Sequence, residues 1–134
     1  MKKPGDVWSN KKFRYRSFTD LPATLVPHEL HIAWAAGIYE GEGTPTVGAI
    51  VISQKDPWIL HELQKLWGGS VNYYTHRSYG IFHWRISGEN ARTFVAHIWI
   101  FLSPRRKAQI LKHWVRDTDF TDSLKSVLEK EVCA

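Results

Sequence analysis

The stretch Ala35-Ala36-Gly37-Ile38-Tyr39-Glu40-Gly41-Glu42-Gly43 constrains this chain more than any other, because it closes an apolar helix with two acids and two glycines. The helix macrodipole places partial negative charge at a C-terminus, so each carboxylate there is disfavoured by roughly 0.3–1 kcal/mol unless a cation lies nearby. A bound divalent metal would supply that cation. Ala33, Gly37 and Gly41 recur at i, i+4 and i+8, which leaves one helix face almost bare of side chains. Glycine inside a helix costs up to about 1 kcal/mol relative to alanine, so the repeat implies close approach of a second backbone. If that backbone is another copy of the same helix, two Glu42 carboxylates meet near a two-fold axis.

A coarse secondary-structure reading follows from punctuation and period. Pro27 suits a first turn, and a helix is predicted from about residue 28 to 42, ended by Gly43. Val47 to Gln54 is rich in β-branched residues and reads as a strand. Asp56-Pro57 opens a helix with Ile59, Leu63 and Leu66 on one face, stopped by Gly68-Gly69. Val71 to Thr75 and Ile81 to Ser87 read as a hairpin around Arg77-Ser78-Tyr79-Gly80. A helix then runs from Gly88 through Phe101, Ser103-Pro104 caps another to about Arg116, and an acidic helix covers Ser123 to Glu131.

These pieces in this order resemble the LAGLIDADG homing endonuclease family. The acidic-glycine stretch matches the family motif in residue type, and the likeness continues through Ile52-Ser53-Gln54-Lys55-Asp56, Leu66-Trp67-Gly68-Gly69, Ile86-Ser87-Gly88-Glu89-Asn90-Ala91 and Ser103-Pro104-Arg105-Arg106-Lys107-Ala108-Gln109-Ile110. It spans roughly residues 28 to 116. The resemblance implies an α+β fold in which helices back a saddle-shaped antiparallel sheet. It implies a site-specific DNA endonuclease that makes a staggered double-strand break by metal-dependent phosphodiester hydrolysis. In the family the second acid is the metal ligand, which falls on Glu42, and the free backbone carbonyl of Gly41 offers a second oxygen; Mg²⁺ or Mn²⁺ suits such donors. Gln54 takes the place of the polar residue that orders the attacking water. Arg105, Arg106 and Lys107 compete for the place of the basic residue that stabilises charge on the phosphate.

Family members with one motif copy work as homodimers, and this chain has one. The resemblance therefore implies a homodimer on double-stranded DNA, joined through the motif helices by Ala33, Ala36, Gly37, Glu40 and Gly41. In the hairpin, strand alternation groups Tyr73, Thr75, Ile81, His83 and Arg85 on one face. If Phe82, Trp84 and Ile86 pack inward, Tyr73, Thr75, His83 and Arg85 face the DNA, with Arg77 at the turn on a phosphate. The chain departs from the family in one respect. Only Thr44 to Lys55 stands where a long two-stranded hairpin is usual, and Pro45 interrupts its start, so one full strand with at most a stub of another is expected, and a smaller DNA-reading surface. That departure keeps open an alternative, a relative that binds nucleic acid without cutting it, as intron maturases acting on RNA and transcription regulators do.

Composition agrees with these expectations without selecting them. The 134 residues suffice for one domain with a real core. A net charge of +5 and a pI near 9.4 favour a polyanionic partner. Residues 1–20 hold Lys2, Lys3, Lys11, Lys12, Arg14 and Arg16 against Asp6 and Asp20 and form an expected basic arm, of which Lys11, Lys12, Arg14 and Arg16 are candidate DNA contacts. Residues 21–116 form the expected motif-bearing domain and 117–134 an acidic tail. Cys133 alone precludes an internal disulfide. No signal-peptide pattern or long apolar run appears, so the expected setting is cytoplasmic, organellar or phage-encoded, away from membranes. His28 and His31 sit three apart on a helix, but no Cys or His pair completes a four-ligand zinc site.

Overall fold

In a computed structural model of the chain, residues 14–16, 21–76, 79–114 and 122 are described, the first three and residue 76 by backbone alone. The fold is α+β and divides into two compact units. One comprises β1 (Arg14–Arg16), residues 21–26 and Val51–Ile86; the other comprises Pro27–Ile50 and residues 87–114. Among the described residues, no helix is long and apolar enough to cross a membrane.

The first unit holds helix α2 (Trp58–Trp67) and the strands β4 (Ser70–His76) and β5 (Tyr79–Ser87), in the strand order β1-β4-β5-β3. Strand β3 (Ala49–Gln54) contributes its residues from Val51 to Gln54 to this unit. Asp56 starts α2 as its sequence promises, its Oδ1 accepting from the Trp58 N–H at 2.9 Å. The buried face is Leu60, Leu63, Gln64, Leu66 and Trp67, so Ile59 stands beside the core stripe and not on it. Gly68 and Gly69 end the helix at φ 78° and 96°, a region only glycine enters freely. Their carbonyls are not left unpaired: Trp84 Nε1 donates to Gly68 and Gln64 Nε2 to Gly69, each at 2.9 Å.

The hairpin register corrects the expected faces. Asn72 lies opposite His83, Tyr73 opposite Phe82, Tyr74 opposite Ile81 and Thr75 opposite Gly80. Residues directly opposite share a face, so Tyr73 and Thr75 belong with Phe82 and the buried Trp84, while Asn72 and Tyr74 belong with His83 and Arg85. A shift of one residue exchanges every side chain between faces. The final pair His76–Tyr79 sets this register, and Gly80 fits it because the Tyr73 ring occupies the space a Cβ would need.

The second unit begins with helix α1 (Glu29–Glu42), whose N-cap is His28 one residue past Pro27. The His28 ring accepts from the Leu30 N–H at 3.2 Å, and the His31 ring accepts from the His28 N–H at 3.4 Å. This reciprocal cap accounts for the histidine pair. Ala35, Ala36 and Tyr39 are the buried residues of α1. Gly43 turns the chain into strand β2 (Gly43–Thr46), and a Cβ there would run into the Tyr39 ring. Gly48 sits at φ 71° in the turn that follows, so β3 starts at Ala49, two residues later than its β-branched run suggests. The stub-and-strand arrangement is the short hairpin that the sequence implies.

Helix α3 (Gly88–Ile98) buries Ala91, Phe94, Val95 and Ile98, then tightens into a 3-10 turn over Trp99–Phe101 where one continuous helix was expected. Helix α4 (Pro104–His113) starts at the Ser103 N-cap with Pro104 in its first turn and buries Arg106 and Ile110. Trp114 closes it, and its indole donates to the Thr46 carbonyl. The helix thus ends at His113, short of the expected Arg116, and the acidic helix of 123–131 lies outside the described residues.

Candidate functional site

The charge conflict at the end of α1 meets a second one at the start of α4, where cations stand at the positive end of a helix. Glu40, an acid at the C-terminal end of α1, lies against the N-terminus of α4, and Arg106, a cation in the first turn of α4, lies against the C-terminus of α1. Each charge is misplaced on its own helix and well placed on the other. Glu40 Oε1 accepts from the Ser103 N–H at 2.7 Å, and Oε2 from the Ser103 hydroxyl at 2.9 Å. Arg106 Nε donates to the Glu40 carbonyl at 2.9 Å, and one terminal nitrogen donates to the Gly43 carbonyl at 2.7 Å and to Gln109 Oε1 at 3.0 Å. Its guanidinium also lies 5.5 Å from the centre of the Tyr39 ring, which meets Phe94 edge-on at 6.2 Å.

Electrostatics follow from this geometry. The Ser103 N–H, then the Ser103 hydroxyl, Arg106 and Arg105, hold the Glu40 carboxyl below the ordinary carboxylate value against a smaller cost of desolvation. Burial pushes the Tyr39 hydroxyl well above its usual value, with Arg106 opposing. That hydroxyl has no hydrogen-bond partner among the described residues.

The three cations separate by exposure. Arg106 is 10% exposed and committed to backbone carbonyls, which makes it a structural residue where a phosphate-facing one was expected. Arg105 is 64% exposed, with its guanidinium 3.6 Å from Glu40. Half-buried Lys107 lies 5.7 Å from the centre of the Trp99 ring. Only the latter two remain open to an external anion.

Glu42, two residues beyond Glu40, is exposed, as is Gly41, and no side-chain partner for Glu42 occurs among the described residues. Ala33 and Gly37 are also exposed; Gly37 and Gly41 have open space where a Cβ would stand. Two of the expected interface residues are corrected. Ala36 is 2% exposed within its own chain, and the Glu40 carboxylate is taken up by its own α4. Gln54 ends β3, half-buried, in the first unit.

On the hairpin, Arg85 is exposed and His83 half-buried, its pKa lowered by that burial and its ring 4.1 Å from Tyr74. Thr75 is buried with its hydroxyl unpaired among the described residues, which removes it from any outward-reading set. Lys11, Lys12 and Arg77 lie outside the described residues. Arg14 and Arg16 stand opposite Thr75 and Tyr73 in β1, so part of the expected arm is an edge strand. Ser103 and Gln109 escaped the sequence reading, in which Ser103 was a cap only. The signal was present: two helix ends with charges of the wrong sign, each able to serve the other.

No family model, curated protein or solved structure matches the chain.

Proposed function

We propose that the chain is a metal-dependent DNA endonuclease of the LAGLIDADG type, acting as a homodimer. The observation that carries this reading is the contrast between two neighbouring acids, one fully engaged and the other, Glu42, exposed beside the bare Gly37–Gly41 face. Among the described residues, packing supplies no reason for glycine at 37 or 41, whereas a second helix in backbone contact would. The donor set suits a hard cation, since Glu42 and the Gly41 carbonyl offer only oxygen. Among the described residues no group of three or more acids, histidines or cysteines is placed to hold a metal within one chain; in this reading a second Glu42 and the phosphates complete the site. The chemistry such an ion would supply when bound is activation of water and compensation of charge on the scissile phosphate. The chain's own residues would present Glu42, orient the phosphate through Arg105 or Lys107, and read bases with Tyr74, His83 and Arg85, while Asn72 on the same face is buried.

The short β2 stub favours a second reading, a non-cleaving binder of DNA or RNA. Incubation with a randomised plasmid library and Mg²⁺ separates the two. Cutting that Glu42→Gln abolishes, with binding kept or tightened, supports the nuclease, because an unneutralised carboxylate repels phosphate. Specific binding without cutting in Mg²⁺ or Mn²⁺ promotes the binder. Dimerisation is tested by Gly37→Leu, whose Cβ has open space around it among the described residues. The variant should stay folded and sediment as a monomer, and a wild type that sediments as a monomer with and without DNA sinks the dimer.

A further inference from the structure

The two carbonyls that Arg106 holds, Glu40 and Gly43, bracket Gly41 and Glu42 in the chain. Neither bond goes to the residues in between. From the other side, the Glu40 carboxylate is tied to Ser103, the residue that begins the helix bearing Arg106. The guanidinium is itself fixed, by Gln109 on one nitrogen and by the Tyr39 ring alongside. Four residues of backbone are thus pinned at both ends by one planar donor whose fork matches two acceptors at once, a task that a lysine ammonium cannot perform in the same way.

We propose that Arg106 and Glu40 are positioning residues for Glu42, which fix the backbone from Glu40 to Gly43 so that the Glu42 carboxylate is presented outward in one place, and that Arg106 contacts no phosphate. The part concerning a ligand rests on the nuclease reading; the part concerning the backbone does not. Pre-organisation of this kind matters because a misplacement of about 1 Å can cost on the order of a hundred-fold in rate.

The test combines a structural readout with a metal readout on the full chain. Amide hydrogen exchange of residues 41–43 is compared in wild type, Arg106→Lys, Glu40→Gln and Arg105→Ala. Arg106→Lys keeps the charge and should speed exchange there by about ten-fold or more while amides of α3 keep their rates. Glu40→Gln retains a neutral acceptor for Ser103 and should show the same pattern more weakly; it serves if Arg106→Lys fails to fold. Arg105→Ala should leave exchange unchanged. With Mn²⁺ alone as the probe, paramagnetic broadening at residues 41 and 42 should need about ten-fold more metal in Arg106→Lys. Unaltered exchange in both variants would overturn the proposal. A DNA-binding salt slope flattened by about one unit in Arg106→Gln, which removes the charge, would also overturn it, by showing a lost phosphate contact. A wild type that neither cuts DNA nor responds to Mn²⁺ would remove the nuclease reading, and the exchange comparison would still decide whether Arg106 positions the segment.

Discussion

The two ends of α1 are finished by opposite means. At the start, His28 and His31 cap one another within a single turn, through exposed bonds of 3.2 and 3.4 Å. At the finish, the last carbonyls and the Glu40 side chain are satisfied by residues 63 to 66 positions away, through bonds of 2.7 to 2.9 Å. A local cap adjusts one helix, whereas the distant one makes two helix ends depend on each other. Energy should therefore be concentrated at the finish.

The sharpest way to break this comparison is Arg106→Leu. It leaves the Glu40 and Gly43 carbonyls and the Gln109 side-chain oxygen without their donor, and the expected loss is about 3 kcal/mol, read as a lowered denaturant midpoint with an unchanged slope. A loss no greater than that of a surface arginine would refute the claim that the finish of α1 depends on α4. Glu40→Gln should cost less, under about 1 kcal/mol, because water and salt screen a carboxylate that is one-third exposed. Its signature is in pH. The folded state holds this carboxyl below the usual 4.5, so its contribution is complete above that value and disappears as pH falls through the lowered one. Thermal melts of wild type and Glu40→Gln should differ at pH 7 and converge in acid; a constant gap would assign the effect to shape, not charge. His28→Ala should do least, about 0.5 kcal/mol, since its bonds are long and open to water.

What the residues disclosed depended on how far apart the partners stand. Punctuation by Gly43, Asp56, Gly68-Gly69 and Ser103 placed the ends of α1, α2 and α4 within a residue or so, because caps and left-handed glycines act locally. The short β2 stub followed from Pro45 and chain length. The hairpin faces came out one residue off, since alternation within each strand says nothing of which residues lie opposite, and the last pair His76–Tyr79 decides that. The break between α3 and the turn Trp99–Phe101 left no local mark in an apolar run. The acids at the end of α1 stood out as misplaced charges that call for a cation, and Arg106 as a cation for a phosphate. Only three-dimensional structure could pair them, because no local period links positions so distant. Glu42, which found no such partner, retains the original argument for a cation.

The order in which the chain is made gives the interleaving of the two units a temporal meaning. At roughly 5–20 residues per second, synthesis delivers Glu40 and Glu42 seconds before Arg106 leaves the ribosome. In that interval the whole of Val51–Ile86 emerges, and the first unit has all its strands while Pro27–Ile50 still waits for α3 and α4. The acidic end of α1 is thus completed only after the start of α4 has emerged. A nascent chain stalled before residue 103 would carry the motif but not the clamp that shapes it.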